Sequence, residues 1–157
     1  MATDGGANSG SDFSRMSLEE FTRQVPPGWR PGLRSYTFRQ YIQKLRLWWR
    51  FAEIQERQAG PLIAARLGGL AFKKAMSLRL LRQETPGAAA QLYTGEQALG
   101  LDRQESQDDG YGNIIVPEDK SGAAHLLDLL RVSFEQHDQD GMVEALDKFF
   151  DHRRGPL

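Results

Sequence analysis

The chain has 157 residues, of which 39% are hydrophobic and 26% charged, and this composition is typical of one globular domain. It contains no cysteine, which excludes a disulfide framework, a cysteine nucleophile and a zinc site built on thiolates. The net charge is −1, yet the first 93 residues hold 14 basic and 7 acidic side chains, whereas the last 64 residues hold 6 and 14.

The sequence lacks a segment suited to cross a membrane or to direct secretion. The longest mostly apolar stretch, residues 62–72, contains Arg66 and is far shorter than the roughly 20 residues that a membrane-spanning helix needs. The N-terminus is polar and lacks the apolar core of a signal peptide. We therefore expect a cytoplasmic protein without a membrane partner.

The N-terminal part contains a polar leader and one capped helix. Residues 1–15 are rich in Gly, Ser, Asn and Asp, which predicts a disordered leader. Ser17 and Glu20 form a capping-box pattern, so we predict a short helix over 17–24 that ends before a Pro-Pro pair. In the stiff segment that follows, we expect Trp29 to pack onto the core.

Two longer helices are predicted in the middle of the chain. Apolar residues recur every three or four positions from Phe38 to Ala52, which is the spacing of one helix face. A second helix over 62–80 follows Gly60-Pro61, where we expect one element to end and the next to begin. The Gly68-Gly69 pair indicates close helix–helix contact or a break, because glycine in a helix costs about 1 kcal/mol relative to alanine.

A turn and a long polar loop come next. Thr85-Pro86-Gly87 predicts a turn that leads into a short helix over 88–93. Residues 94–120 are predicted to be a long polar loop or insertion. Within them, residues 114–116 are the only strand-like piece and are too few to make a sheet alone.

Two capped helices complete a domain that we expect to be all-α. Ser121 and Asp140 are each followed by apolar residues at helical spacing, which predicts helices over 121–134 and from 140 onward. The prediction is an all-α bundle of five to six helices over residues 16–157, with a disordered leader and a long polar loop. The spacing also predicts one apolar cluster, formed by Leu45, Trp48, Leu67, Leu127, Phe134, Leu146 and Phe149.

The sequence carries no recognisable catalytic or metal-binding constellation. The three histidines, His125, His137 and His152, come without the further ligands that a zinc site needs. The segment after Asp138 departs from a calcium loop at its glycine and glutamate positions. A nucleophile elbow and a phosphate-binding loop are also absent from the sequence. We therefore expect a protein that is not an enzyme, with no catalytic residue, metal or cofactor.

The helix over 36–51 is the clearest candidate for a binding surface. Its basic residues alternate with Tyr and Trp, a composition that can bind RNA through phosphate contacts and base stacking. Because the aromatic residues follow the buried stripe of a helix, we favour a core helix with a basic solvent face. A small nucleic-acid-binding protein that uses this helix is the alternative function.

Two stretches carry motifs that gain specificity from their order and spacing. The first is Pro26-Pro27-Gly28-Trp29, followed by the aromatic helix and the Ala/Leu/Gly-rich segment 60–69. The second is the Leu-rich segment 126–134, followed by Phe149-Phe150-Asp151-His152-Arg153-Arg154. Together they resemble the N-terminal capsid-type domain of LTR-retrotransposon Gag polyproteins, closest to the copia-type branch.

This resemblance, over residues 25–93 and 121–156, implies a capsid-like structural protein that associates with itself into a particle. Family members usually continue into a second capsid half and a zinc knuckle, so we expect a fragment, a truncated element copy or a domesticated remnant that self-associates weakly. RNA is a possible partner that no zinc knuckle supports. The opposite charges of the two chain halves predict a head-to-tail contact. Its candidate residues are Arg39, Lys44, Arg46, Arg50, Asp138, Asp140, Glu144 and Asp147.

Overall fold

The computed structural model describes residues 24–135, residue 146 and residues 148–151. The helices within these residues are α1 (Phe38–Phe51), α2 (Glu56–Ala65), α3 (Gly69–Met76), α4 (Glu96–Leu99) and α5 (Gly122–Phe134). The strands are β1 (Arg79–Arg82), β2 (Gln91–Thr94), β3 (Gln107–Asp108) and β4 (Ile114–Val116). β1 pairs with β2 and β3 with β4, which makes two small antiparallel sheets, and a 3₁₀ turn at Phe149–Asp151 follows α5.

The expected all-α, capsid-like bundle of five to six helices is wrong, because the described residues form a mixed α/β fold with two sheets. The helix predicted over 62–80 accounts for part of the error. α3 ends at Met76, and β1 begins at Arg79 with side chains that alternate between solvent and core. Four residues with two central leucines are too few for the sequence to distinguish a strand from a helix.

The Gly68-Gly69 pair is a break between α2 and α3. Gly68 precedes α3 with extended backbone, and Gly69 has a φ of +59°, in the left-handed region that favours glycine. The backbone of Trp29 pairs with this break. The main-chain N–H of Trp29 donates to the Arg66 carbonyl at 3.1 Å, and the Trp29 carbonyl accepts the Gly68 N–H at 2.9 Å. The break therefore holds the proline-rich segment against the helices.

The boundary predicted at Gly60-Pro61 is also wrong, since both residues lie inside α2. A Cβ atom on Gly60 would lie 2.0 Å from the Leu99 carbonyl oxygen, and one on Gly122 would lie 1.9 Å from the Ala98 carbonyl oxygen. The two glycines allow α2 and α5 to approach the backbone of α4. Gly60 is thus required for packing between helices and does not end a helix.

The turn predicted at Thr85-Pro86-Gly87 is confirmed, and it connects two strands. The Ala88 N–H donates to the Thr85 carbonyl at 3.1 Å. The short helix predicted over 88–93 is wrong, because this stretch contains most of β2. Strand β2 pairs with β1 in an antiparallel register that places Arg79 opposite Thr94 and Arg82 opposite Gln91. A cross-strand partner distant in sequence, and not local propensity, decides this element.

Residues 94–120, expected to be a long polar loop, contain α4 and the β3–β4 hairpin. The strand-like piece at 114–116 is β4. A pair of backbone hydrogen bonds between Gln104 and Asp119, each 2.9 Å, closes the base of the hairpin. The few apolar residues and the many Gly, Asp and Ser residues at 102–112 also predict a mobile stretch, and amide hydrogen exchange would measure it.

The predicted apolar cluster is confirmed in full. The Trp29 ring also packs onto this core, as predicted, stacked 5.6 Å from Tyr41 and edge-on 5.3 Å from Phe134. Helix α5 begins where predicted, since the Ser121 hydroxyl accepts the Ala124 N–H at 3.2 Å. The seven predicted members, all buried in one cluster, are Leu45, Trp48, Leu67, Leu127, Phe134, Leu146 and Phe149.

Two predicted elements lie outside the described residues. These are the leader over 1–15 and, except for Gln24, the short helix over 17–24. Of the helix predicted from Asp140 onward, the structure describes Leu146 and residues 148–151. Leu146 lies outside a helix there, and Phe149–Asp151 form a 3₁₀ turn and not the predicted α-helix, although the Phe149 and Phe150 side chains are buried.

Candidate self-association surface

Helix α1 carries the basic residues singled out in the sequence, and its start is fixed locally. The Thr37 hydroxyl accepts the Gln40 N–H at 3.2 Å, and the Gln40 side chain accepts the Thr37 N–H at 3.0 Å. These two bonds form a capping box, which satisfies donors that the first helical turn leaves open. The buried face consists of Phe38, Tyr41, Ile42, Leu45, Trp48 and Trp49.

The opposite side of α1 combines positive charge with exposed apolar side chains. Leu47 lies at the centre of this side and is 62% exposed, while Phe51, one turn later, is 49% exposed. Four cationic side chains surround them, and α1 contains no Asp or Glu. We refer to this surface as the α1 outer face; its members are Arg39, Lys44, Arg46, Leu47, Arg50 and Phe51.

The cations lie along two edges of the α1 outer face. At about 100° per residue, the three arginines align along one edge and Lys44 along the other, with the apolar pair between them. The Arg46 guanidinium lies 6.0 Å from the Phe149 ring, and the Lys44 ammonium lies 4.7 Å from the Tyr36 ring. These cation–π contacts help to hold the two side chains in place.

The structure thus places the four basic candidates on one helix, at its solvent side. Lys44 and Arg50 are exposed, and Arg39 and Arg46 are half-buried. Their pairing with the acidic candidates stays a prediction, because those residues lie outside the described part of the chain. The acidic candidates are Asp138, Asp140, Glu144 and Asp147.

The aromatic residues of α1 belong to the core. Tyr41, Trp48 and Trp49 are buried, and the Trp49 indole N–H donates to the Phe150 carbonyl at 3.0 Å. Burial raises the pKa of Tyr41 well above its ordinary value, because the charged phenolate would lose its hydration. The interpretation of α1 as a core helix with a basic solvent face is therefore confirmed. Its buried rings are not accessible for stacking on nucleic-acid bases.

A second surface is the hairpin over residues 105–118, which lies in the stretch that the sequence predicted to be a long polar loop. We call it the acidic hairpin, because it contains four carboxylates and no basic residue. Tyr111 is 89% exposed and Ile114 69% exposed near its tip. The run Asp-Asp-Gly-Tyr-Gly-Asn at 108–113 is a turn signal, because Asx side chains bond nearby backbone and glycine adopts positive φ. The same composition is also typical of the long polar loop that was predicted over residues 94–120.

Asp109 fixes the turn of the acidic hairpin. Its carboxylate accepts the Asn113 side-chain amide at 2.8 Å, the Tyr111 N–H at 2.7 Å and the Asn113 N–H at 3.2 Å. These hydrogen bonds, the Asn113 amide first among them, hold the pKa of Asp109 below its ordinary value, because they stabilise the ionised form. Asp108 adds a bond from the Gly110 N–H at 2.9 Å. The tip is therefore held in shape by its own side chains.

Buried Arg82 anchors the base of the hairpin to β1. Its guanidinium donates to the Asp119 carboxylate at 3.1 Å and to the carbonyls of Asp102 at 2.8 Å and Lys120 at 2.9 Å. The second Asp119 oxygen lies 2.8 Å from Nε2 of His125, on α5. The cluster thus joins β1, the base of the hairpin and α5. Each of its hydrogen bonds has both partners inside the protein, which indicates a structural role.

The described residues contain neither a cluster of metal ligands nor a membrane-spanning helix. Among residues 24–135 and the short C-terminal stretch, no three His, Asp or Glu side chains are grouped as a metal ion would require. None of the helices in the described part combines the length and the apolar character needed to cross a bilayer.

The comparisons with known proteins add no relative. No protein-family model, curated protein or solved structure matches the chain. The likeness to Gag capsid domains therefore stays a prediction based on the motifs in segments 25–93 and 121–156. What the protein does must be inferred from its two described surfaces, the α1 outer face and the acidic hairpin.

Proposed function

We propose that the protein is a non-enzymatic structural protein of the Gag capsid type that associates with copies of itself through the α1 outer face. The supporting observation is the exposure of Leu47 and Phe51 among four cations on a helix without carboxylates. Apolar side chains exposed on regular structure and rimmed by polar groups are typical of protein–protein contact sites. The apolar pair supplies the attraction and the cations supply orientation.

The charge of this face requires that the contact be heterologous. Two α1 outer faces would bring like charges together, which disfavours a symmetric contact through this face. A positive face instead needs a different, negative patch on the next copy. A contact between two different patches repeats from copy to copy and generates rings or open filaments. Such repetition is what a particle-forming protein needs.

The alternative function, nucleic-acid binding, uses the same cations to hold phosphates. The burial of Tyr41, Trp48 and Trp49 argues against base stacking, which supplies much of the affinity for single strands. The large side chains that α1 exposes between its cations include Leu47 and Phe51, which are aliphatic and phenyl, beside the polar Gln40 and Gln43. We therefore favour a protein partner over a nucleic acid.

Sedimentation velocity of the full chain tests the proposal. The average mass should rise with protein concentration, and less steeply at about 1 M than at about 0.1 M salt, where the Debye length is about 3 Å instead of about 10 Å. Leu47→Gln should weaken association at least tenfold. The matched control is Val132→Gln on α5, an equally exposed aliphatic residue, which should associate like the wild type.

Two outcomes would contradict the proposal. One is a wild type that stays monomeric at high concentration and low salt. The other is equal loss of association in both variants, which would mean that the α1 outer face is not the contact. Tight, strongly salt-dependent binding of an RNA oligonucleotide by a monomeric protein would favour the alternative instead.

A further inference from the structure

The acidic hairpin carries four carboxylates, opposite in sign to the cations of the α1 outer face, of which Lys44 and Arg50 are the exposed ones. We infer that the acidic hairpin of one copy docks on the α1 outer face of the next copy. This inference rests on the proposed self-association, and it names the surface on the neighbouring copy that binds the α1 outer face. The carboxylates Glu105, Asp108, Asp109 and Glu118 are all exposed, and the bonds that Asp108 and Asp109 accept within the turn come from neutral donors, so their negative charges are not neutralised there.

The two surfaces also match in their apolar parts. Tyr111 and Ile114 are the most exposed large side chains of the hairpin, at 89% and 69%. Leu47 and Phe51 are the corresponding side chains of the helix, flanked by cations on both edges. Docking would remove both apolar pairs from water while placing carboxylates against the cations. Charge then orients the contact and apolar burial holds it.

The acidic hairpin is already shaped for docking. Asp109 closes its turn by three hydrogen bonds, and Val116 is buried at the other end of the hairpin. The Gln104 side chain ties the base to the carbonyls of Gln83 at 2.9 Å and Pro117 at 2.8 Å. A projecting element that is ordered before binding loses little conformational entropy on binding.

A second copy is the occupant that the charges favour. Each chain carries one positive face and one negative hairpin, so every copy in solution offers the complement of its neighbour. The contact is heterologous, as the proposed function requires, and each copy uses both surfaces at once. If a different basic protein were the partner of the hairpin, the hairpin variant described below would self-associate like the wild type.

Charge-swapped variants test the inference. The hairpin variant Glu105→Lys/Glu118→Lys and the helix variant Lys44→Glu/Arg50→Glu should each lose at least tenfold in self-association by sedimentation velocity. An equimolar mixture should recover association, because each variant's altered surface then meets an opposite charge on the other. One chain that carries all four changes should recover it as well. Glu96→Lys, an exposed carboxylate outside the hairpin, is the control and should behave like the wild type.

The outcomes separate this inference from the proposed function. If the helix variant loses association while the hairpin variant keeps it, the hairpin is not the partner surface, although self-association through α1 stands. If both variants lose association and their mixture does not recover it, the two surfaces do not meet each other. A monomeric wild type overturns both the inference and the proposed function. Circular dichroism of each variant verifies that it is folded.

Discussion

At the scale of single residues, two glycines set the distance between helices. Gly60 in α2 and Gly122 in α5 both face the backbone of α4, and a Cβ on either would lie within about 2 Å of a carbonyl oxygen. The sequence offers no sign of this role, because a glycine at a helix contact and a glycine at a helix end look alike. The partner carbonyls lie tens of residues away in the chain.

Gly60→Ala should destabilise the protein by about 1–3 kcal/mol, because the added methyl group has no space and the helices must move apart. Urea unfolding followed by circular dichroism measures the change. Gly100→Ala is the matched control, since its Cβ would lie 3.6 Å from the Glu96 carbonyl oxygen, an ordinary contact. A Gly60→Ala variant as stable as this control would show that α2 and α4 are not tightly packed.

Tyr41→Phe should stabilise the protein by about 1 kcal/mol, because a buried polar group without a partner costs free energy. The Tyr41 hydroxyl is buried and has no hydrogen-bond partner among the described residues. The variant should also lose less stability at alkaline pH. The unfolded tyrosine ionises above a pH of about 10 while the folded one stays neutral, so wild-type stability falls as pH rises.

Urea unfolding at neutral and alkaline pH measures both effects. The exposed Tyr111→Phe is the control and should change neither the stability at neutral pH nor its alkaline slope. Destabilisation of Tyr41→Phe at neutral pH would indicate that the hydroxyl has a partner in solution.

At the scale of elements, the helices and the strands differ in how far sequence predicts them. α1 and α5 each span more than three turns with a capped start, so their periodicity is unambiguous. Strands β1 to β4 have four residues or fewer, and no period can be read from so few. Their formation depends on a partner strand, which the sequence does not identify. The α1 outer face was predictable because it belongs to a long periodic helix. The acidic hairpin was not predictable because its short strands depend on each other.

The turn of the acidic hairpin should respond to acid through Asp109. Its folded pKa lies below the ordinary value of 3.8, so its carboxylate stabilises the hairpin above that pH. The contribution is lost as pH falls through the folded pKa. Amide chemical shifts of Tyr111 and Asn113 should therefore titrate with a midpoint below 3.8.

Asn113→Ala tests the cause of this shift, because it removes the hydrogen bond that contributes most to it. The midpoint should then move up toward the ordinary value. A wild-type midpoint at or above the ordinary value would mean that the turn bonds do not persist in solution.

At the scale of the whole molecule, one buried cation joins parts that are distant in the chain. Arg82 lies on β1, and its ion-pair partner Asp119 lies at the base of the acidic hairpin, 37 residues further on. Asp119 in turn meets His125 on α5. The cluster therefore couples the first hairpin, the second hairpin and the core helix into one unit.

Arg82→Met should cost about 3 kcal/mol, because the partly buried Asp119 carboxylate loses its arginine partner and keeps only its contact with His125. Two carbonyl groups would also lose their donor. Thermal unfolding measures the loss, and Arg79→Met, an exposed residue on the same strand, is the control. If both variants melt at the same temperature, Arg82 does not hold the hairpins together.

The sequence by itself determined the local elements and the composition of the core. Capping residues and helical spacing specify α1 and α5, and the same spacing identifies seven residues that share one cluster. These features depend on neighbours within a few positions, which the sequence displays directly. The positive solvent side of α1 follows from the same periodicity, since residues off the buried stripe must face water.

Only the tertiary structure decided what joins these elements. The Arg82–Asp119 pair spans 37 residues, and the bond from the Trp49 indole to the Phe150 carbonyl spans 101. Gly60, β2 and the acidic hairpin likewise acquire their roles from partners elsewhere in the chain. One sequence without its relatives does not encode such pairings in readable form, because each depends on the free energy of the whole packed arrangement.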